Sequence, residues 1–261
     1  MSRNRHPDRT VQVRSFGVTF RNAQASRTAL HGTADWHQLI YAIRGVMTVF
    51  TAEGTWVVPP HRAVWIPAGF SYRLETSGEV AIRSLYLWAR RRRTALRCSV
   101  VNVTPLLREL IVRTNLIGAL DSAVPQQRRL MDVIYDELNM LKSVSLQLPL
   151  PQDRRAAQFA TLAAAEHGGK LPLTEMLRQA GASRRTLERI FRAETGMSLG
   201  QWRRRQKLLR ALKLVAAGES VKTIAMELGY NRASAFVAMF RRELGQTPKR
   251  YFKDMSAASD G

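Results

Sequence analysis

The C-terminal half of the chain contains an internal repeat, which limits the folds open to it more than any other feature. Residues 176–196 and 224–245 share one pattern: a short helical segment, a glycine, a longer helical segment and a closing glycine. The closing glycines, Gly196 and Gly245, are 49 positions apart, 245 minus 196. A short helix, a tight turn and a second helix are typical of the helix-turn-helix motif. The sequence therefore predicts two such units, at about residues 171–196 and 221–245.

The turn and the inner face of each unit follow from residue type. A glycine between the two helices allows a sharp turn because it tolerates a positive φ. Bulky apolar residues four positions apart would bury the inner face of the second helix, which leaves its outer face free to enter a major groove. A long helix predicted from Ser198 to Gly218 joins the two units. The repeat therefore predicts one stiff block with two DNA-reading helices about one DNA turn apart.

The N-terminal half has a different pattern. Short strands separated by turns are predicted between residues 36 and 88, including turns at 52–54, 67–69 and 77–78, as in a sandwich or small barrel. Apolar residues then recur at helical spacing in two segments, 104–116 and 126–141. These two helices either cover the core of the β-domain or pair with a second chain. A proline-rich stretch follows, so we predict domains at residues 1–148 and 149–261.

The charge favours a polyanion as partner. The chain has 41 basic and 20 acidic residues, a net charge of +21. Cations that neutralise phosphates release condensed counterions, which favours nucleic-acid binding. The alternative is an arginine-rich composition without function, as high-GC genomes tend to encode. The excess is +10 over residues 1–151 and +11 over 152–261, so charge alone does not locate a binding surface.

The location of the protein in the cell is also predicted. Cys98 is the single cysteine, so an intramolecular disulfide is excluded and a reducing cytoplasm is favoured. No apolar run is long enough to span a membrane, and the first 14 residues do not have the pattern of a secretory signal. We therefore expect a cytoplasmic protein.

Two parts of the chain resemble the AraC/XylS family of transcription regulators. Residues 153–255 resemble its DNA-binding domain, most specifically in the stretch 224–230 and in the closing signature 245–251. Residues 36–74 resemble its cupin-like sensor domain, most clearly at 54–69. The resemblance implies an α+β two-domain chain: an N-terminal cupin-like β-barrel with trailing helices, then an all-α tandem helix-turn-helix domain.

The resemblance also implies a function. It predicts a sequence-specific DNA-binding transcription regulator that binds promoter DNA, contacts RNA polymerase, more often activates than represses, and responds to a small-molecule effector. A homodimer is expected, and neither catalysis nor a cofactor. Two alternatives stay open, a nonspecific nucleic-acid-binding protein and a metal-dependent cupin enzyme. The former would bind random and target duplexes alike.

The family pattern assigns DNA contacts to the outer face of each second helix. Arginine can donate two hydrogen bonds to guanine, and glutamate can accept one from cytosine. The second unit offers a less polar outer face, so we expect the first unit to supply most of the base discrimination. The predicted base-contacting residues are Arg185, Glu188, Arg189, Arg232 and Ser234. The predicted phosphate-contacting residues are Arg184, Arg192, Arg203, Arg204, Lys207, Lys222 and Thr223.

The N-terminal domain offers candidates for an effector pocket. The histidines His31, His37 and His61 lack the close spacing of metal ligands, so we expect no bound metal. The run of four arginines at 90–93 is interpreted as a solvated loop, with an extra phosphate or dimer contact as the alternative. The candidate effector pocket comprises Trp36, His37, Tyr41, Trp65 and Tyr72. The alternative is that the aromatic residues belong to the core and that His37 is a structural or surface residue.

Overall fold

The computed structural model describes residues 10–20, 27–28, 34–89, 97–144, 146–165 and 171–251. The chain divides into two compact units, the first formed by Met1–Ala52 and Val58–Ser145. The second is formed by Glu53–Val57 and Leu146–Gly261. The second unit thus begins three residues before the boundary predicted after residue 148, and it also includes a short segment from the N-terminal half.

The N-terminal part is built of antiparallel strands, as the cupin-like fold class requires. The first unit contains a sheet with the strand order β8-β1-β6-β3-β5-β7-β9, with β2 paired to β6. The strands are β1 (Val11–Phe20), β2 (Arg27–Thr28), β3 (Trp36–Thr51), β4 (Gly54–Val58), β5 (Arg62–Ile66), β6 (Arg73–Trp88), β7 (Ser99–Asn102), β8 (Ala119–Asp121), β9 (Ser143–Val144) and β10 (Gln147–Pro149).

The two central strands are longer than the sequence predicts. The sequence pattern predicts separate strands at residues 37–43 and 46–51, and a turn at 77–78. Both predictions are wrong, because β3 and β6 run through these places, with register shifts between Ala42 and Val46. Gly45 makes this possible, since its φ is +77° and an added Cβ would lie 2.2 Å from the Glu79 carbonyl oxygen. A bulge of this kind bends a strand without ending it.

Helices cover one face of this sheet. The first unit has α1 (Pro105–Ile117) and α2 (Pro125–Asn139), which confirms both predicted helices. Alternate residues of each strand share a face. The face under the helices forms one core with them, including Leu39, Tyr41, Trp65, Leu85, Leu87, Leu107, Ile111, Met131 and Ile134.

The second unit is mainly helical. Its helices are α3 (Arg154–Ala164), α4 (Leu173–Gln179), α5 (Arg184–Thr195), α6 (Leu199–Ala216), α7 (Val221–Glu227) and α8 (Ala233–Leu244). The repeat is visible in the packing, because equivalent ring pairs meet edge to face. Phe191 and Trp202 have centroids 5.1 Å apart, and Phe240 and Tyr251 have centroids 5.7 Å apart.

The segment that enters the second unit is fixed to it at several points. β10 pairs with β4, and the Trp202 indole N–H donates to the Pro149 carbonyl oxygen at 2.8 Å. A carboxylate oxygen of Glu194 accepts from the backbone N–H groups of Gln152 and Asp153, at 2.7 and 3.1 Å. Trp202 is fully buried, so it combines ring packing with the anchoring of this segment.

We predict that Trp202 stabilises the second unit through both its ring and its N–H group. Trp202→Ala should lower the free energy of unfolding by about 3–5 kcal/mol through the cavity it leaves. Trp202→Phe, which keeps a ring but loses the hydrogen bond to Pro149, should cost roughly 1–3 kcal/mol. Amide hydrogen exchange in α3 and α6 measures both changes. Trp88→Phe, in the sheet of the first unit, is the control and should leave these amides unchanged; equal effects of the two Trp202 variants would contradict the prediction.

Candidate nucleic-acid interface

The first helix-turn-helix unit consists of α4, a glycine turn and α5. Gly181 has a φ of +63°, which L side chains rarely adopt, so the chain reverses there at little cost. The Ser183 hydroxyl accepts from the Thr186 backbone N–H at 3.1 Å and caps α5. Leu187 and Phe191 are fully buried on the inner face of α5. This geometry fixes the direction of the outer face.

The outer face of α5 is a stripe of arginines. Arg185, Arg189 and Arg192 are all exposed, and their spacing of four and three places them on one side of the helix. None of the three makes an ion pair with another described residue. We call these three residues the α5 arginine stripe. They are exposed cations on the outer face of the helix.

Glu188 has a partner inside the unit. Its Oε2 accepts from the backbone N–H of Leu199 at 3.2 Å, at the start of α6. The first N–H groups of a helix lack intrahelical partners, so a carboxylate there stabilises the helix. The predicted base contact from Glu188 therefore competes with a capping interaction that the sequence analysis did not foresee.

A second group of cations comes from the first residue of α5 and the first half of α6. Burial and then the positive charge of Arg184 lower the pKa of Arg203, and burial and then Arg203 lower the pKa of Lys207. No carboxylate of the described residues contributes to either pKa shift. Arg184, Arg203 and Lys207, which we call the cationic cluster, thus repel one another. An anion placed among them would relieve that repulsion.

Lys207 also contacts an aromatic ring. Its Nζ lies 4.8 Å from the ring centroid of Tyr230, a cation–π distance. Tyr230 directly follows the turn glycine of the second unit, Gly229. The sequence analysis missed this contact, because the residue after the turn has no equivalent aromatic in the first unit. The predicted phosphate contact from Lys207 would therefore come from a side chain that is already oriented.

The second unit exposes a less polar surface. Phe236 and Phe240 bury the inner face of α8, while Ser234 is exposed on its outer side. Arg232 is exposed at the N-cap position and makes no side-chain capping bond. A depression of about 660 Å³ lies along this surface. It is lined by Ser234, Val237, Ala238, Arg241, Arg242, Gly245 and Thr247.

The remaining phosphate candidates lie on α6 and α7. Arg204 and Lys222 are exposed, as a phosphate contact requires. The Thr223 hydroxyl lies 2.8 Å from the hydroxyl of Ser220, the cap of α7, so Thr223 takes part in the start of that helix. The sequence analysis did not single out Arg241 and Arg242, although their position after Phe240 in the repeat indicates an exposed face.

The candidate effector residues lie on two faces of the N-terminal sheet. Tyr41 and Trp65 belong to the core under α1 and α2, and His37 stacks on Trp65 with ring centroids 5.2 Å apart. Trp36 is one position removed from His37 on β3, so it faces the opposite side. The Tyr72 hydroxyl donates to Gln38 Oε1 at 2.7 Å, which places it toward that opposite side as well. The structure thus separates the five residues into a group of three and a group of two.

Burial dominates the ionisation of the first group. It raises the pKa of Tyr41 to about 12 and lowers the pKa of His37. The Tyr41 hydroxyl lies 3.2 Å from His61 Nδ1. Both Tyr41 and His37 are therefore neutral near pH 7.

Two further observations concern the described residues only. They contain no group of three or more histidine, cysteine, aspartate or glutamate side chains arranged to hold a metal ion. None of their helices is both long and apolar enough to cross a membrane. His31 and the arginine run at 90–93 lie outside the described residues.

Fold and surface together define a class of protein: a helix-turn-helix DNA-binding protein with a β-rich N-terminal domain. Residues 16–131 match the AraC-like ligand binding domain family, and residues 176–254 match a helix-turn-helix domain family. The chain is 32% identical over 225 residues to the HTH-type transcriptional regulator NimR of Escherichia coli, covering 85% of this chain and 81% of that protein. The chain belongs to the AraC family of transcription regulators.

Two other proteins are also similar to this chain. The regulatory protein SoxS of Salmonella typhimurium is 37% identical over 82 residues, which cover 31% of this chain and 77% of that protein. The crystal structure of fatty acid-bound ToxT from Vibrio cholerae aligns over 95% of this chain and 96% of that one, with 10% identity and a TM-score of 0.37. The family assignment confirms the predicted fold class and the predicted function of transcription regulation.

We predict that Glu188 acts through the start of α6. Glu188→Ala should lower the free energy of unfolding by about 0.5–2 kcal/mol, as for other lost caps. Glu188→Gln keeps an acceptor oxygen and should lose much less. Urea unfolding measures the stability, and selection of bound fragments from a random DNA pool measures base preference. A changed base preference in Glu188→Gln at unchanged stability would instead support direct base reading.

Proposed function

We propose that this regulator recognises a specific promoter site as a homodimer, mainly through the α5 arginine stripe, and contacts RNA polymerase there. The observation that carries the proposal is the exposure of Arg185, Arg189 and Arg192 on one side of a helix whose opposite side is buried. Arginine is the side chain that most often reads guanine in the major groove, through two parallel hydrogen bonds. The stripe lies on the second helix of the unit, which is the helix that enters the major groove in this motif.

Roles within the first unit divide by position. Arg185 and Arg189 lie in the first half of α5, whose N-terminal residues meet base edges in this motif. Arg192 lies near the C-terminal end of the helix, where the phosphate backbone is the nearer target. The cationic cluster supplies a second phosphate contact, because a phosphate oxygen among Arg184, Arg203 and Lys207 would offset their mutual repulsion. Phosphate contacts would fix the position of the protein on the duplex, and Arg185 and Arg189 would determine which base sequence it recognises.

The second unit contributes differently. Its α8 presents Val237 and Ala238 between Ser234 and two arginines. Small apolar side chains contact thymine methyl groups rather than donate hydrogen bonds. We propose that this unit adds affinity through Arg241, Arg242 and Lys222, and prefers thymine-rich DNA through its apolar centre.

We predict that Arg189 and Arg192 differ in what their removal changes. The site is first identified by selecting bound genomic fragments at physiological salt. Arg189→Ala should then cost about 1–3 kcal/mol on this site and relax one base position. Arg192→Ala should weaken binding to the site and to scrambled DNA alike, and should lower the salt slope by about one. Fluorescence anisotropy over a salt series measures both variants.

The contradicting outcomes are specific. If Arg189→Ala weakens the site and scrambled DNA equally, Arg189 does not read a base. If the wild-type chain binds both DNAs equally with a steep salt dependence, the protein is a nonspecific nucleic-acid binder instead. Glutamate variants of the same two positions serve as a matched pair, since both add the same repulsive charge.

The homodimer is proposed from the outer surface of α1 and α2. Leu116 is 77% exposed and Met140, at the end of α2, is 66% exposed, with Leu106, Ile117 and Val133 also exposed. Several large apolar side chains left exposed on two helices of one unit favour an interface there. The proposed dimer would place two DNA-binding units on one promoter, which raises affinity through effective concentration.

We predict that Leu116→Glu shifts the protein from dimer to monomer. The buried carboxylates would face each other across the interface without a counter-charge. Sedimentation velocity at several protein concentrations measures the change. Met226→Glu is the matched control, because Met226 is 62% exposed on α7 of the other unit. A dimer that is equally stable with Leu116→Glu would place the interface elsewhere.

Effector control is proposed for the first unit. The match of residues 16–131 to a ligand binding domain family supports it, and so do the two groups of candidate pocket residues in this unit. A ligand shifts a regulator between two states only by the difference in its affinity for them. An effector that binds the first unit would therefore change DNA affinity by that difference.

A further inference from the structure

Several buried N–H groups in the first unit have no hydrogen-bond acceptor among the described residues, and two of them lie on adjacent rings. These two are Trp65 Nε1 and His37 Nε2, and each is closed off from solvent. Trp65 is 0% exposed, and the two rings stack with an interplanar angle of 30°. Leaving one buried donor without an acceptor costs about 1–3 kcal/mol, so a fold rarely keeps two on adjacent rings.

The protonation of His37 follows from its other nitrogen. The Ala68 backbone N–H donates to His37 Nδ1 at 3.0 Å. Nδ1 must therefore carry a lone pair, and the hydrogen of the neutral ring is on Nε2. Burial, which lowers the pKa of His37, favours this neutral form. His37 and Trp65 thus present two N–H donors, and neither presents an acceptor to the other.

The surroundings determine what acceptor fits. Leu39, Leu85 and Leu87 belong to the same buried core as Trp65. Burial lowers the pKa of His37, as is usual for an imidazole among apolar side chains. A carboxylate placed among these side chains would lose its hydration, at a high cost. A neutral oxygen acceptor would satisfy the donors without that cost.

We propose that His37 and Trp65 form the polar end of the effector site and bind a carbonyl-type oxygen of an uncharged, mainly apolar small molecule. This inference rests on the proposed effector control of the first unit. Of the five candidate pocket residues, it selects the group on the helix-covered face and assigns donor roles to two of them. The ligand class is therefore a ketone, ester or amide rather than a free acid.

The test uses the full chain labelled with ¹⁵N-tryptophan, and it observes the indole N–H resonances. Cyclohexanone is the probe because it carries a carbonyl oxygen and no donor, and cyclohexane is its shape-matched control. Cyclohexanone should move the Trp65 indole proton downfield in a saturable way, and cyclohexane should not. Trp65→Phe assigns this resonance by removing it.

Two variants separate the hydrogen bonds from the packing. His37→Phe keeps a ring for stacking but removes the Nε2 donor, together with the Nδ1 acceptor of the Ala68 N–H, and should weaken cyclohexanone binding roughly two- to tenfold. Trp88→Phe, outside the candidate pocket, should leave the affinity unchanged. If Trp65→Phe fails to fold, His37→Phe and the two probes still decide the outcome.

Several results would overturn the inference. The first is the absence of a saturable shift of the Trp65 indole resonance, which is expected if a permanently bound water satisfies both donors. The second is an equal shift with cyclohexane. The third is an unchanged affinity for cyclohexanone in His37→Phe. The readout does not involve DNA. A saturable shift together with a DNA affinity that no first-unit ligand alters would refute effector control and leave the binding site standing.

Discussion

The edge-to-face ring contacts of the second unit are the interaction on which its other features depend. Phe159 and Phe191 meet at 5.9 Å and Phe191 and Trp202 at 5.1 Å, so one ring on α5 holds both α3 and α6. Aromatic pairs in this arrangement add stability beyond their buried area and also fix an angle. Because Phe191 is fixed from both sides, α5 cannot rotate about its axis, and the direction of the α5 arginine stripe is set by the core.

Different residues of α5 have different roles. Its buried residues set the helix orientation, its first turn is capped by Ser183, and Glu188 links it to the start of α6. The exposed side chains of the α5 arginine stripe carry only positive charge. In the proposed complex, DNA phosphates would balance this charge, so affinity would depend on salt while sequence preference would depend mainly on Arg185 and Arg189.

How much of this follows from sequence depends on the range of the interactions. The repeat, the turn glycines and the apolar pairs such as Leu187 and Phe191 are local patterns, and they predicted the helices of the second unit well. The continuity of β3 through Gly45 was not predictable, because a glycine within a strand looks like a turn until its partner strand is known. The contact between Glu188 and Leu199 spans 11 positions, so helical periodicity gave no signal for it. The split of the candidate pocket between two sheet faces follows from strand alternation, but only once the strand containing both Trp36 and His37 is established.

The pairing of β10 with β4 has a consequence for how such a protein can evolve. The DNA-binding unit is not one continuous stretch of chain, because residues 53–57 belong to it although 88 residues, 58–145, separate them from the rest. A single genetic crossover near residue 148 would transfer the helices without their β-strand partner. Recombination that swaps sensor modules between regulators would then have to preserve a match between two distant segments, a constraint that keeps both halves of the gene evolving together.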